Sequence, residues 1–123
     1  AAEANVAIQF DVSDAFDFAP TEQFDLVGLF YAHMPSERRR AFHHLAIQWL
    51  KPGGTLILEG FHTDQLHFQS GGPRNESMLF TPEMLAEDFN ELLATQNEVV
   101  QVTLDEGPLH QGLASIVRYI GTK

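Results

Sequence analysis

One stretch constrains the fold more than any other. Residues 24–61 read FDLVGLFYAHMPSERRRAFHHLAIQWLKPGGTLILEGF. Phe24–Ala32 is a mostly apolar run, the pattern of a strand covered on both faces. Pro35 suits the first position of a helix, and Glu37 falls where a helix's positive end stabilises an acid. Phe42, Leu45, Ala46, Trp49 and Leu50 recur at i, i+3, i+4, i+7 and i+8, which is one helical face. Lys51 lies at the negative end of that helix, and Pro52-Gly53-Gly54 stops it. Thr55–Leu58 is a second short apolar strand. Strand, crossover helix and strand at this spacing predict a βαβ unit with a right-handed connection.

The remainder of the chain keeps alternating between the two periods. Val6, Ile8, Phe10 and Val12 alternate with Ala7, Gln9, Asp11 and Ser13, the period of two of a strand with one wet face. Asp17–Gln23 is a short polar link containing Pro20. His62–Arg74 is polar and long for a connection, a length that suits a lid. Thr81-Pro82-Glu83 starts a helix, with Thr as cap, Pro in the first turn and Glu against the dipole. Its buried face is Leu85, Phe89, Leu92 and Leu93, and Asn97 marks its end. Val99, Val100, Val102 and Leu104 predict a strand, and a turn-rich loop leads from it to a closing strand. Strands are therefore expected near 6–12, 24–32, 55–60, 98–104 and 113–120, and helices near 36–51 and 82–93.

This pattern carries a resemblance. Strand, helix, Leu-Lys-Pro-Gly-Gly and strand resemble the second half of the class I S-adenosylmethionine-dependent methyltransferase domain. Glu59-Gly60-Phe61, Gly71-Gly72-Pro73 and Glu106-Gly107 followed by His110 and Gly112 narrow it to the bacterial branch related to tellurite-resistance and thiopurine methyltransferases. The resemblance runs over nearly the whole chain. The family's glycine-rich cofactor loop and the strand-end acid that holds the cofactor ribose are not among these residues, so residues 1–123 resemble half of a methyltransferase domain. The resemblance implies an α/β fold: a partial Rossmann-like sheet, mostly parallel, with an antiparallel C-terminal hairpin. Its closing strand inserts beside Thr55–Leu58, and strand 6–12 lies at one edge. It also implies S-adenosylmethionine as cofactor, bound weakly or not at all by these residues alone.

Candidate site residues follow from strand ends and from the resemblance together. The family places an acid after its third strand to accept from the adenine amino group. Asp14, with Ala15, sits there; an Asx turn at a strand end explains the same residue. Ligands collect at the carboxyl ends of strands in open α/β sheets. Tyr31 and His33 leave the first apolar strand at such an end, toward the cofactor. His33 is a candidate base on the acceptor, or a residue that orients the next helix. Glu59 stands where an apolar run turns acidic, as a site carboxylate or as half of a salt bridge. Phe61, His62 and His67 are candidates for the acceptor pocket, together with Gln65, Leu66 and Phe68 of the connection. Glu106 and His110 match the family's Glu-Gly-x-x-His, read either as loop-shaping, with Gly107 and Gly112 at positive φ, or as an acceptor-side pair with a catalytic His110. His62 and His67 have no third ligand at a recognisable spacing, so no metal is expected. His43 and His44 point about 100° apart on their helix and read as surface or half-buried packing.

Composition narrows the function classes. A formal charge of −10 with seven basic residues disfavours nucleic acid and anionic membrane. The cluster Arg38-Arg39-Arg40 reads as a solvated helix face, because the apolar stripe lies elsewhere. The chain has no cysteine, which suits a reducing compartment such as the cytoplasm. No apolar run approaches the about 20 residues that span a bilayer. The leading expectation is methyl transfer to a small-molecule acceptor, completed by residues upstream. The other is a non-catalytic remnant of the fold that binds or self-assembles. Without the glycine-loop strand beside it, Phe24–Ala32 offers an open edge. Strand 6–12 covers that edge only by setting Gln9 and Asp11 against a covered face, so a homodimer through the open edge is the expected arrangement.

Overall fold

The computed structural model describes residues 7, 13–68, 70–105, 107 and 111–123. Strand β1 is Phe24–Phe30, helix α1 is Ser36–Trp49 and strand β2 is Leu50–Phe61. Two 3₁₀ turns, Thr63–His67 and Glu76–Met78, precede helix α2, Pro82–Asp88. Strands β3, Leu93–Asp105, and β4, Gln111–Thr122, close the chain. The four strands form one sheet in the order β1-β2-β4-β3. β1 pairs parallel with β2, while β4 pairs antiparallel with both β2 and β3. The βαβ unit is as the periodicity predicts, and the antiparallel hairpin and the insertion of β4 beside β2 are as the resemblance implies. Among the described residues the sheet is mixed, with the parallel pair β1–β2 and the antiparallel hairpin, and of strand 6–12 only residue 7 is described.

Local chemistry sets the element boundaries. β1 stops at Phe30 rather than Ala32, because Tyr31 takes φ 56° and breaks the extended backbone. β2 starts at Leu50, five residues earlier than expected. Its register against β1 jumps from Phe24↔Leu50 to Leu26↔Thr55, so Lys51–Gly54 bulges out of the ladder. Pro52 has no N–H to give a ladder, and Gly53 supplies φ 85° for the bulge. Pro35 is the cap of α1 rather than its first residue. Lys51 does not serve the C-terminal end of α1 but pairs with exposed Asp25 at 3.5 Å. The Lys123 ammonium takes that place, donating to the carbonyls of Ile47 and Leu50 at 2.9 and 2.8 Å.

Helix α2 is shorter than expected. Thr81 caps it by accepting from the Met84 N–H at 3.2 Å, with Pro82 in the first turn. It ends at Asp88, and Phe89 turns out of the helix with ψ 31°. Leu85, Phe89 and Leu92 are buried, but Leu93 is 73% exposed and already belongs to β3. Pairing along the twelve-residue β4 outweighs further helix, so β3 begins at Leu93 and draws in Asn97.

The core lies between the helices and one face of the sheet. Val27, Leu29, Leu56, Leu58, Val117 and Tyr119 from the strands meet Phe42, Ala46, Ile47, Leu85 and Phe89. The buried face of α1 is Arg39, Phe42, His43, Ala46 and Ile47, rotated from the expected stripe. Trp49 and Leu45 are half-buried. Arg39, only 4% exposed, therefore departs from the solvated cluster assigned to it, while Arg38 and Arg40 stay outside. His43 is likewise fully buried rather than superficial, and His44 is exposed. Both converge on Asp88 of α2: Arg39 Nε donates to Oδ2 at 2.9 Å, and His43 Nδ1 lies 2.8 Å from the same oxygen. Removing one member of a buried ionic cluster strands the others in a low dielectric. Asp88→Ala is therefore expected to lower the unfolding free energy by about 3–5 kcal/mol. Leu93→Ala, on the exposed start of β3, is expected to change it by less than about 0.5 kcal/mol. Urea denaturation of the two variants checks the contrast.

Candidate active site

The carboxyl ends of β1 and β2 lie side by side, Phe30 opposite Glu59, and Tyr31, His33, Glu59 and Phe61 meet there. The ladder continues one step further, with the Tyr31 N–H on the Glu59 carbonyl at 2.7 Å. Tyr31 is the one non-glycine residue at positive φ among the described residues, a conformation that costs about 1–2 kcal/mol in L-residues. Its hydroxyl donates to Glu59 Oε2 at 2.9 Å, and its ring meets Phe61 edge-on with centroids 5.0 Å apart. Glu59 Oε1 accepts from Arg118 Nε of β4 at 2.7 Å. Of the two readings of Glu59, the geometry is that of the salt bridge. Each carboxylate oxygen already has a donor, so Glu59 is a poor base.

His33 is held from both sides. Its Nδ1–H donates to the Met78 carbonyl at 2.6 Å, and its Nε2 accepts from the Phe61 N–H at 3.2 Å. Its ring stacks on Phe80 and on Phe61, at centroid distances of 4.8 and 5.6 Å. Gly60 makes this possible, since a Cβ there would come within 2.3 Å of Phe80 and 3.4 Å of His33. No ring nitrogen of His33 is left to take a proton from an acceptor. His33 is thus a brace between β2 and the second 3₁₀ turn, and burial pushes its pKa down, outweighing the bond to Met78.

His33 also lines a cleft of about 380 Å³, together with Asp14, Ala15, Phe16, Met34, Pro35 and Arg38. The expected adenine-side residues Asp14 and Ala15 are therefore brought together with His33, while Tyr31 stands outside that lining. Asp14 forms the Asx turn that was its other reading: Oδ1 accepts from the Phe16 N–H at 2.9 Å. Arg38 lies over the Phe16 ring at 4.6 Å and 3.9 Å from Asp14 Oδ1.

The connection after β2 departs from the expected lid. Gln65 is fully buried and uses its whole amide: Nε2 donates to Ser70 Oγ and the Gly71 carbonyl, and Oε1 accepts from the Ser115 N–H. Ser70 in turn donates to the Leu113 carbonyl at 2.8 Å. This pins the segment to β4. His62 joins the pin, its N–H on the Ser115 carbonyl at 2.9 Å and its Nδ1 accepting from the Asp64 N–H. Phe61 is buried in a small cluster with Leu79, Leu104, Ala114 and Ile116, so it is packing rather than an open pocket wall. His67 is exposed at the outer end of the first 3₁₀ turn. Glu106 and His110 lie outside the described residues; Gly107 and Gly112 have φ 104° and 99°. Among the described residues no three potential metal ligands converge.

Sequence reasoning missed Arg118, Ser115 and the Arg39–His43–Asp88 cluster. The i, i+4 spacing of Arg39, His43 and Ile47 carried the signal for the last, but a run of three arginines masked it. Asp88 has its carboxyl held low: burial raises it, and the bonds from His43 and Arg39 together outweigh that.

No protein-family model and no curated protein matches the sequence. Solved structures do match in fold. The N-methyltransferase NodS from Bradyrhizobium japonicum WM9 superposes with a TM-score of 0.59 at 18% identity, over 90% of this chain and 58% of its own. TehB from Haemophilus influenzae gives 0.70 at 15% identity, over 99% of this chain and 43% of its own. A protein studied for converting a disulfide bond into a thioacetal group during echinomycin biosynthesis gives 0.74 at 13% identity, over 99% and 58%. The chain thus has the fold of part of a methyltransferase domain, and spans about half the length of the solved chains it matches.

The buried imidazoles carry a pH signature. Burial lowers the pKa of His33 and of His43, in the latter against the pull of Asp88. A histidine with a depressed folded pKa binds its proton more readily when unfolded, so protonation favours unfolding. Stability is then full above the ordinary value of 6.5 and falls as pH drops below it. Urea midpoints measured across that window are expected to decline toward acid, and the decline is expected to be shallower in His33→Gln.

Proposed function

We propose that this chain is one half of a methyltransferase domain that transfers a methyl group from S-adenosylmethionine to a small-molecule acceptor. The observation that carries the reading is the cleft at the carboxyl end of β1, where Asp14, Ala15 and His33 meet in the sheet order β1-β2-β4-β3. The residues present fit the adenine end of the cofactor. Phe16, Met34 and Pro35 give apolar walls, and the Asp14 carboxylate at the rim is an acceptor for an exocyclic amine. Bound there, the cofactor supplies an electrophilic methyl group. The task left to the chain is positioning, which orients reactants and keeps water out. His33 holds β2 to the second 3₁₀ turn, and its ring is stacked on Phe61 and Phe80. Glu59 shapes that rim rather than moving a proton, and the acceptor-side roles of His62, His67, Glu106 and His110 are part of the same proposal. The acidic balance favours a small acceptor over nucleic acid, and a cytoplasmic setting suits a chain without cysteine. Among the described residues no helix is long and apolar enough to cross a membrane.

The ribose and methionine ends need groups that the described residues do not supply. Calorimetry on this chain is therefore expected to show no S-adenosylmethionine binding tighter than about millimolar, or about −4 kcal/mol. The residual contact is on the adenine side, so the amide signals of Ala15 and His33 are expected to move as S-adenosylhomocysteine is carried above that range. Micromolar affinity would contradict this division of the site.

A second reading is favoured by a specific observation. Among the described residues β1 pairs with β2 alone, and the sheet face away from the helices leaves Leu26 58% and Phe30 62% exposed. Such a surface invites pairing. On this reading the chain is a non-catalytic module that self-assembles, as a homodimer through the open edge. Light scattering on a size-exclusion column at micromolar concentration is expected to show a dimer; a 13.8 kDa monomer with a cooperative melt rejects it.

A further inference from the structure

Three side chains from three strands form a line across the rim of the sheet. Glu59 on β2 and Arg118 on β4 are direct cross-strand partners, and Glu98 on β3 faces Arg118 from the other side. Arg118 Nε reaches Glu59 Oε1 at 2.7 Å, and Glu59 Oε2 receives the Tyr31 hydroxyl at 2.9 Å. The Tyr31 ring thus stands between His33, whose centroid is 6.5 Å away and which lines the cleft, and the Glu59–Arg118 pair. Tyr31 is also the strained point of the backbone, at φ 56°. A left-handed residue that is not glycine persists where its surroundings over-determine it, and such residues cluster where a site needs a fixed group. Four contacts over-determine Tyr31: the ladder bond to the Glu59 carbonyl, the hydroxyl bond to the Glu59 carboxylate, and the Phe61 and His33 rings.

We propose that Arg118 is a positioning residue for the acceptor pocket: through Glu59 it holds the Tyr31 hydroxyl and fixes the Tyr31 ring as the wall between the cofactor cleft and the acceptor. This rests on the methyl-transfer reading. Arg118 touches neither acceptor nor cofactor. It donates to one oxygen of the Glu59 carboxylate, whose other oxygen accepts from the Tyr31 hydroxyl. Its own charge is matched on both sides, by Glu59 and Glu98.

The chain has two tyrosines, Tyr31 and Tyr119, and Tyr119 is buried in the core on the helix side. Tyrosine labelled with carbon-13 at Cζ therefore gives two NMR resonances, assigned with Tyr31→Phe. Arg118→Gln is expected to move the Tyr31 resonance by more than its linewidth, to leave that of Tyr119 in place, and to leave the urea midpoint near that of the unmodified chain. Arg118→Lys is expected to return the resonance part of the way. Glu59→Gln, which cuts the same line at its middle, is expected to move it as Arg118→Gln does. A Tyr31 resonance that ignores Arg118→Gln, or that moves equally in the Gln and Lys variants, overturns the proposal. The cofactor reading is followed separately in the same samples, through the Ala15 and His33 amides on titration with S-adenosylhomocysteine. Responsive amides with an unmoved Tyr31 reject the role of Arg118 alone. Silent amides reject the methyl-transfer reading, and with it the link from Arg118 to an acceptor, even if Tyr31 moves.

Discussion

Asp88 is the acceptor on which the helical layer turns. Its carboxylate takes a guanidinium and an imidazole from α1 while belonging to α2, so it fixes the two helices relative to one another from inside the core. A charge-bearing cluster of this kind contributes little net stability compared with aliphatic packing, but it tolerates few arrangements. Shifting α1 by one turn would separate Arg39 and His43 from their common partner. That one carboxylate ties α1 to α2, while Phe42, Ala46 and Ile47 pack α1 on the sheet.

From this geometry the rim inherits its order. β1 and β2 end together because their parallel ladder is in register to Phe30 and Glu59. The side chains beyond those ends interlock instead of pointing into open space. His33 spends both ring nitrogens on backbone groups, Glu59 both oxygens on side chains, and Gln65 its whole amide on the neighbouring loop and β4. A rim built this way is preorganised, which is what a reaction governed by alignment requires of its scaffold.

The β-α-β backbone was legible because it rests on periodicity and on Pro and Gly, which act locally. Thr81-Pro82 started its helix where expected, and the hairpin of β3 and β4 paired as the resemblance implied. The misreadings of Arg39 and Leu93 share one cause: tertiary partners far away in sequence. Nothing near Arg39 announces Asp88, 49 residues on, so an arginine run read as solvated. Leu93 carried a helical spacing, yet a long antiparallel partner pulled it into a strand. At the site, the residue types at the strand ends were readable and their roles were not. Whether a histidine is a base or a brace depends on which groups reach its nitrogens, here the Met78 carbonyl and the Phe61 N–H.

The exposed part of the sheet face away from the helices sets a condition on how this chain behaves in solution. Leu26 and Phe30 lie on it near half-buried Ile57 and Ile120, and Glu59, Arg118 and Glu98 continue the row of Phe30. Each copy also carries a formal charge of −10. Two copies approaching face to face therefore meet long-range repulsion before any apolar contact forms. That repulsion reaches about 30 Å at 0.01 M salt but only about 8 Å at physiological ionic strength. Salt thus shortens the barrier without weakening the apolar attraction behind it, which makes the face a colloidal contact whose reach is set by the ionic medium.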